Sequence, residues 1–405
     1  MSTPAKPPAQ SWVVLTATTF VQALVAMALL TLPVVAPEVA KDVGVSTAYL
    51  GVYVATVYLG AMIASLLGSA AVKRWGAIRL SQAGLLVDAV GLCLCAVPNP
   101  AVILLGAVLI GLGYGPITPA SSHVLIKTTP ANQLSFVFSI KQTGVPLGGM
   151  VAGAVIPSLT LWIGWQWSFI VSGLACALCA YFVQPLREEL DDDRDPQVKF
   201  SLVASMIDPL RLVLKHRVLR LLAVCSFLFA ICQMSLMAYL VTFLYEDLHW
   251  GLVAAGAALT LAQAAGVGGR ILWGYISDNW RGPVVMLIIV ASLLTLTALV
   301  TPFVTEQTSL WFLFPVLIVF GSTAIGWNGV YLAEVARQAP SGQTSMATGG
   351  SLCITFLGVV TGPSMFGVLA GSLHSYGVSY GFLAIPALII LSILISLYRN
   401  PSSPD

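Results

Sequence analysis

Long apolar runs alternate with short polar breaks along the whole chain. Twelve runs stand out, near 12–35, 48–72, 80–97, 101–122, 134–158, 166–184, 217–243, 251–276, 283–303, 310–335, 345–369 and 380–398. A helix needs about 20 predominantly apolar residues to cross a hydrocarbon core about 30 Å thick. The pattern therefore predicts an all-α membrane protein with twelve transmembrane helices. Only one polar stretch is long, from Arg187 to His216, and it separates six runs from six. The expected domains are a six-helix bundle over 1–186, a linker over 187–216 and a second six-helix bundle over 217–405. Within the linker, Ile207 to Leu214 is amphipathic and predicts a short interfacial helix. The acidic run Asp191-Asp192-Asp193 is expected to be solvated linker.

Composition agrees with this reading. Of 405 residues, 58% are hydrophobic and only 8% charged, against about 25% charged in a soluble domain, so the lipid bilayer is the main surrounding. A net charge of +2 gives no sign of a nucleic-acid partner. The seven cysteines all fall in apolar runs, and Cys176 and Cys179, though spaced C-x-x-C, have no His or carboxylate beside them and read as packing residues. The sequence holds no P-loop, metal-ligand cluster or nucleophile–base set, and its loops are too short for a signalling domain. An enzyme or a receptor is not expected, and neither is a cofactor. Fifteen of the 18 Lys and Arg fall on the side of the N-terminus, the exceptions being Lys41, Lys141 and Arg270. Basic residues favour the cytoplasmic side. This predicts a plasma-membrane protein, inner membrane in a bacterium, with both termini and the linker in the cytoplasm.

The two sets of six runs lie over each other. Trp75 after the second run corresponds to Trp280 after the eighth, and Gly144, Gly148 and Gly153 correspond to Gly358, Gly362 and Gly367. Repeats of this kind build carriers with a central site. Gly274-Tyr-Ile-Ser-Asp278-Asn-Trp-Arg-Gly282 resembles the loop motif of the major facilitator superfamily, and Gly144-Val-Pro146-Leu-Gly148-Gly149 resembles the glycine–proline motif of its fifth span. Gly362-Pro363 resembles the twin of that motif in span 11. The first-half loop, Ser69 to Arg79, departs from the pattern, with Lys73 in place of the acid and Ser69 in place of the glycine. The arginine that many relatives carry in span 4 is absent. The resemblance covers essentially the whole chain. It implies two six-helix bundles related by a pseudo-two-fold axis, with transport by alternating access. In that motif Gly274 would let helices approach closely, while Asp278 would latch an inner gate.

Charges inside an apolar span cost at least about 2.5–3.5 kcal/mol each on insertion scales, which makes them functional candidates. Arg270 in span 8 resembles the carboxylate-binding arginine of monocarboxylate and oxalate-type carriers, and a guanidinium holds a carboxylate by two parallel bonds. Those relatives often pair it with an acid one turn earlier, where Gly266 stands here. The other reading is an arginine that snorkels to the interface or pairs with a helix end. Lys141 in span 5 would supply a second cation from the other half, or serve at the interface or a gate. Asp88 in span 3 reads either as a proton-coupling acid or as a structural partner for a neighbouring span. Glu334 is expected in an inner charge cluster with Arg337, Arg281 and Asp278. Neutral polar and aromatic candidates are Gln22, Tyr53, Tyr58, Gln142, Gln233, Gln263, Trp327, Asn328, Tyr331 and Thr355. Asn328 and Tyr331 are three apart and share a helix face. Trp165, Trp167, Trp250 and Trp311, near run ends, are expected as interfacial anchors.

Two mid-span cations and a single mid-span acid favour an anionic ligand. The expected activity is proton-coupled secondary transport of a small organic anion, a carboxylate, by a monomer. The alternative is a proton-driven multidrug efflux antiporter, which normally wants a cavity acid and a broad aromatic wall. Arg270, Lys141, Gln142, Asn328, Tyr331, Gln263, Tyr58 and Thr355 form the expected substrate site. Asp278, Arg281, Glu334, Arg337 and Asp88 form the expected gating and coupling set.

Overall fold

The computed structural model describes residues 8–129, 137, 140–195, 197, 202–279, 282–340 and 344–399, and contains no strand among them. Twelve helical segments are long and apolar enough to cross a membrane. Spans 1 to 6 are Trp12–Val34, Thr47–Ser65, Ala77–Cys95, Pro100–Leu125, Ile140–Ile163 and Trp165–Leu190. Spans 7 to 12 are Arg217–Glu246, Leu252–Ser277, Gly282–Phe303, Leu310–Gln338, Ala347–Leu373 and Tyr376–Arg399. Spans 4 and 10 are each broken at the same place. Helix Pro100–Tyr114 gives way to Ile117–Thr128, and Leu310–Ala324 to Asn328–Gln338. In span 4 the break falls at Pro116, which donates no N–H and disfavours helix in the residue before it. Asn99 caps the start of that span, its Oδ1 accepting from the Ala101 and Val102 amides at 3.0 and 3.3 Å.

The chain divides into two compact units, one of residues 1–35 with 56–202 and one of 36–55 with 203–405. Lipid tails give helices no hydrophobic reason to associate, so close packing of small residues does the holding. In the first unit span 5 lies on span 1. A Cβ on Gly144 would stand 2.8 Å from the Thr19 carbonyl oxygen, and one on Gly148 would overlap that of Ala23. In the second unit span 11 lies on span 7 in the same manner, with Gly358 against the Phe227 carbonyl and Gly362 2.8 Å from Ile231 Cα. The twinned motifs are thus the same packing device used twice.

Segment Ala36–Ala55 belongs to the second unit. The Tyr239 hydroxyl donates toward the carbonyls of Ala48 and Pro363, at 3.1 and 3.2 Å. Tyr245 donates to Glu38 at 2.8 Å, and the Thr47 and Tyr376 hydroxyls are 2.7 Å apart.

Several expectations need refinement. The acidic run is solvated only in part, with Asp192 and Asp193 exposed. Asp191 is buried and caps span 3 by accepting from the Ile78 and Arg79 amides at 2.8 and 2.9 Å, while Asp192 and Asp193 pair with Lys127 and Asp193 meets His123 at 2.7 Å. A first-half loop lacking its own acid receives one from beyond span 6. Among the described residues nothing lies within 4 Å of the Cβ position of Gly274, and a tight contact on span 8 is at Gly269, 2.5 Å from the Ser322 carbonyl oxygen. The amphipathic helix runs over Leu202–Lys215 and does not merely lie at an interface. Its Val213 is buried, and Gly350 of span 11 abuts the Pro209 carbonyl. Trp165 is core, packed edge-on against Phe169, whereas Trp167 and Trp311 are exposed.

Candidate functional site

In the first unit the polar residues gather where spans 1, 4 and 5 meet. Lys141 lies one turn before Gly144, and that glycine brings span 5 close enough to span 1 to bury the lysine to 1% exposure. The Lys141 ammonium is 3.5 Å from Thr118 Oγ1, just past the break in span 4, and the Thr118 hydroxyl is 3.4 Å from Gln22 Oε1 on span 1. Both contacts are long for hydrogen bonds. Gln22 is wholly buried, and its Nε2 meets no partner among the described residues; the same holds for Thr19 Oγ1 one turn earlier. No carboxylate among the described residues stands within ion-pair distance of Lys141. Gln142, the neighbour of Lys141, is exposed. Tyr58 is buried elsewhere in the unit, edge-on to Tyr114 at 6.0 Å.

In the second unit Arg270 is half-buried, and its Nε donates to the Ile325 carbonyl at 3.2 Å. Ile325 begins the break in span 10, where a carbonyl is released from the helical ladder. Trp273, three residues on, donates to the Ser322 carbonyl at 2.8 Å and braces the same bend. Gln263, two turns before Arg270 on span 8, is wholly buried with neither amide atom partnered among the described residues. Trp327 stacks on Phe229 at 4.9 Å, donates to Gln233 at 3.0 Å and meets Tyr331 edge-on. Thr355 is 2.8 Å from Ser226 Oγ and 3.0 Å from the Ser351 carbonyl, a small hydroxyl cluster beside Tyr331. Asn328 is half-buried at the start of the second helix of span 10, while Tyr331 on its face is fully buried.

Of the gating set, Glu334 is 2% exposed, accepts from Gln338 at 2.7 Å and lies 3.7 Å from Arg337. Arg337 reaches to 3.5 Å from the Cβ position of Gly282. Arg281 lies outside the described residues, as does the side chain of Asp278. Asp88 is wholly buried, and neither oxygen meets a hydrogen-bond partner among the described residues. It stands against Gly113 of span 4, where a Cβ would overlap its carboxyl. Thr118 and Ser226 were not anticipated. A lone hydroxyl in an apolar run carries no periodic signal, and only the Pro116 break marks the position of Thr118.

The chain is 26% identical over 329 residues to the gentisate transporter of Corynebacterium glutamicum, covering 76% of this chain and 70% of that protein. It is 21% identical over 327 residues to the benzoate transport protein of Acinetobacter baylyi, covering 73% and 69%. With the hexuronate transporter of Bacillus subtilis it shares 22% over 256 residues, 61% of this chain and 60% of that one. Among solved structures, a bacterial homologue of the lysosomal transporter Spinster superposes with a TM-score of 0.77 at 15% identity, covering 98% of both chains. A nucleoside transporter superposes at 0.76 with 16% identity, covering 96% and 98%. These relatives are transporters, not enzymes. Residues 18–363 match the profile of one family, and with twelve spans that pack by twinned glycine motifs the chain belongs to the Major Facilitator Superfamily.

Proposed function

We propose that this transporter carries a small organic anion, an aromatic or other carboxylate, across the plasma membrane by alternating access coupled to protons, with both termini in the cytoplasm. The observation that carries the reading is Lys141: an ammonium buried in the first unit whose partner among the described residues is one distant hydroxyl. A buried cation without a counter-charge is costly, and an arriving carboxylate offsets that cost. Arg270 offers the second unit's cation, a planar fork held by the Ile325 carbonyl. The gentisate, benzoate and hexuronate carriers among its relatives all take carboxylates, which supports the substrate class.

The test is equilibrium binding of benzoate, gentisate and a hexuronate to purified protein. Lys141→Met is expected to weaken binding by about 10- to 150-fold, the loss of one charge-assisted contact of about 1.5–3 kcal/mol. Arg270→Lys, which keeps charge and loses the fork, is expected to fall in the same range. Binding of lipophilic cations with no response to carboxylates would replace this reading with drug efflux.

Asp88 supplies the proton site in this reading, as a buried carboxyl that no described neighbour satisfies. In liposomes, Asp88→Asn should leave anion binding intact and abolish the stimulation of uptake by a pH gradient. Uptake by the variant that still rises with the gradient would remove Asp88 from the coupling path.

A further inference from the structure

The chain of contacts from Lys141 through Thr118 to Gln22 has a direction. An ammonium has three donors and no acceptor, so Thr118 Oγ1 receives from Lys141 Nζ at 3.5 Å and must send its own proton onward. The atom it meets is Gln22 Oε1, at 3.4 Å. The amide oxygen is thereby occupied, and the two N–H groups of Nε2 are left without a partner among the described residues. Gln22 itself is 0% exposed. A buried amide donor left unsatisfied is destabilising. A Cβ on Gly144, one turn from Lys141 on span 5, would stand 2.9 Å from Gln22 Cβ and 2.8 Å from the Thr19 carbonyl oxygen, so lysine, amide and a Thr19 hydroxyl without a partner among the described residues all belong to one small region. The ammonium and the amide N–H groups are donors only. They cannot satisfy one another, and they suit a single acceptor-only group.

We propose that Gln22 is a second ligand to the substrate carboxylate, donating from Nε2 to the anion that Lys141 pairs with, while Thr118 holds the amide in the donating orientation. This rests on the anion reading above and adds to it a binding residue on span 1. Anion selectivity then has a structural source beyond charge. A neutral substrate gains only one donor here, and a cation meets an ammonium and an N–H face, both repulsive. Because the region is closed to solvent, the carboxylate gives up its water and takes these donors in exchange.

The experiment measures the affinity of purified full-length protein for benzoate in Gln22→Leu, Gln22→Glu, Thr118→Val and Lys141→Met. Gln22→Leu should weaken benzoate by about 10- to 150-fold, the loss of a hydrogen bond to a charged acceptor worth about 1.5–3 kcal/mol. Gln22→Glu should weaken it by at least about 100-fold, because the new carboxylate occupies the acceptor place beside Lys141. Thr118→Val frees the amide to rotate, and should give a loss no larger than that of Gln22→Leu. In the Gln22→Leu/Lys141→Met double variant the losses should fall short of additive, since both groups hold the same carboxylate. If Gln22→Glu does not fold, Gln22→Leu and the double variant decide alone. Loss of affinity in Lys141→Met with wild-type affinity in both Gln22 variants would overturn the role of Gln22 and leave the anion reading standing. Wild-type affinity in Lys141→Met as well would overturn both.

Discussion

Spans 1 and 5 in the first unit and spans 7 and 11 in the second are built on one plan and filled with opposite chemistry. Lys141 stands three residues before Gly144, and Thr355 stands three residues before Gly358, so the two occupy corresponding places on their helices. Around Thr355 its hydroxyl meets Ser226 and the Ser351 carbonyl, and Ser226 donates to the Ala223 carbonyl at 2.8 Å, while the Ser351 and Tyr331 hydroxyls meet no partner among the described residues. Around Lys141 donors outnumber acceptors, and the contacts are long. The frame is structural in both places. The first-unit version holds an ammonium where the second holds a neutral hydroxyl, and this is what separates the two positions on the same backbone.

The shared frame is the part that can be broken most severely. Gly148→Ala and Gly358→Ala each place a methyl group on a neighbouring backbone carbonyl, and each should cost about 1–3 kcal/mol by overpacking. Thermal midpoints in detergent should fall for both variants to a similar degree. A fall in one alone would mean that the two helix pairs are not equivalent. Differences in filling should appear with opposite signs. Lys141→Met removes a buried, poorly met charge and should raise the stability of the ligand-free protein by about 1–3 kcal/mol, while Thr355→Val breaks satisfied bonds and should lower it by about 1 kcal/mol. Thr355→Val should also leave benzoate affinity at the wild-type value. A destabilised Lys141→Met variant would show that the lysine is already satisfied in the empty protein, and the contrast would disappear.

Much of this was legible from residue order. Twelve runs at membrane length and the twinned glycines gave the fold, because lipid enforces helix and small residues mark close crossings. Lys141 and Arg270 stood out because charges are rare in spans. What surrounded them did not. Thr118 is one hydroxyl among many apolar residues, and its value depends on Gly144 drawing span 5 onto span 1, a contact that joins three distant stretches of chain. Asp191 misled for a related reason: an acidic run looks solvated until the span 3 amides that its first member caps are known. No motif marks Gly269, which packs against the Ser322 carbonyl.

The capping of span 3 by Asp191 also bears on how the protein is made. The carboxylate that meets the Ile78 amide is joined to the chain 113 residues after it. As the ribosome works from one end, span 3 enters the membrane with its first amides unanswered, and Lys127 and His123 follow without their acids. A nascent chain that stops at residue 186 has passed through nearly all of span 6 and yet lacks every one of these partners. The step that completes the first unit is therefore the emergence of three aspartates, and a pause in translation placed just before them would hold an unfinished bundle in the bilayer.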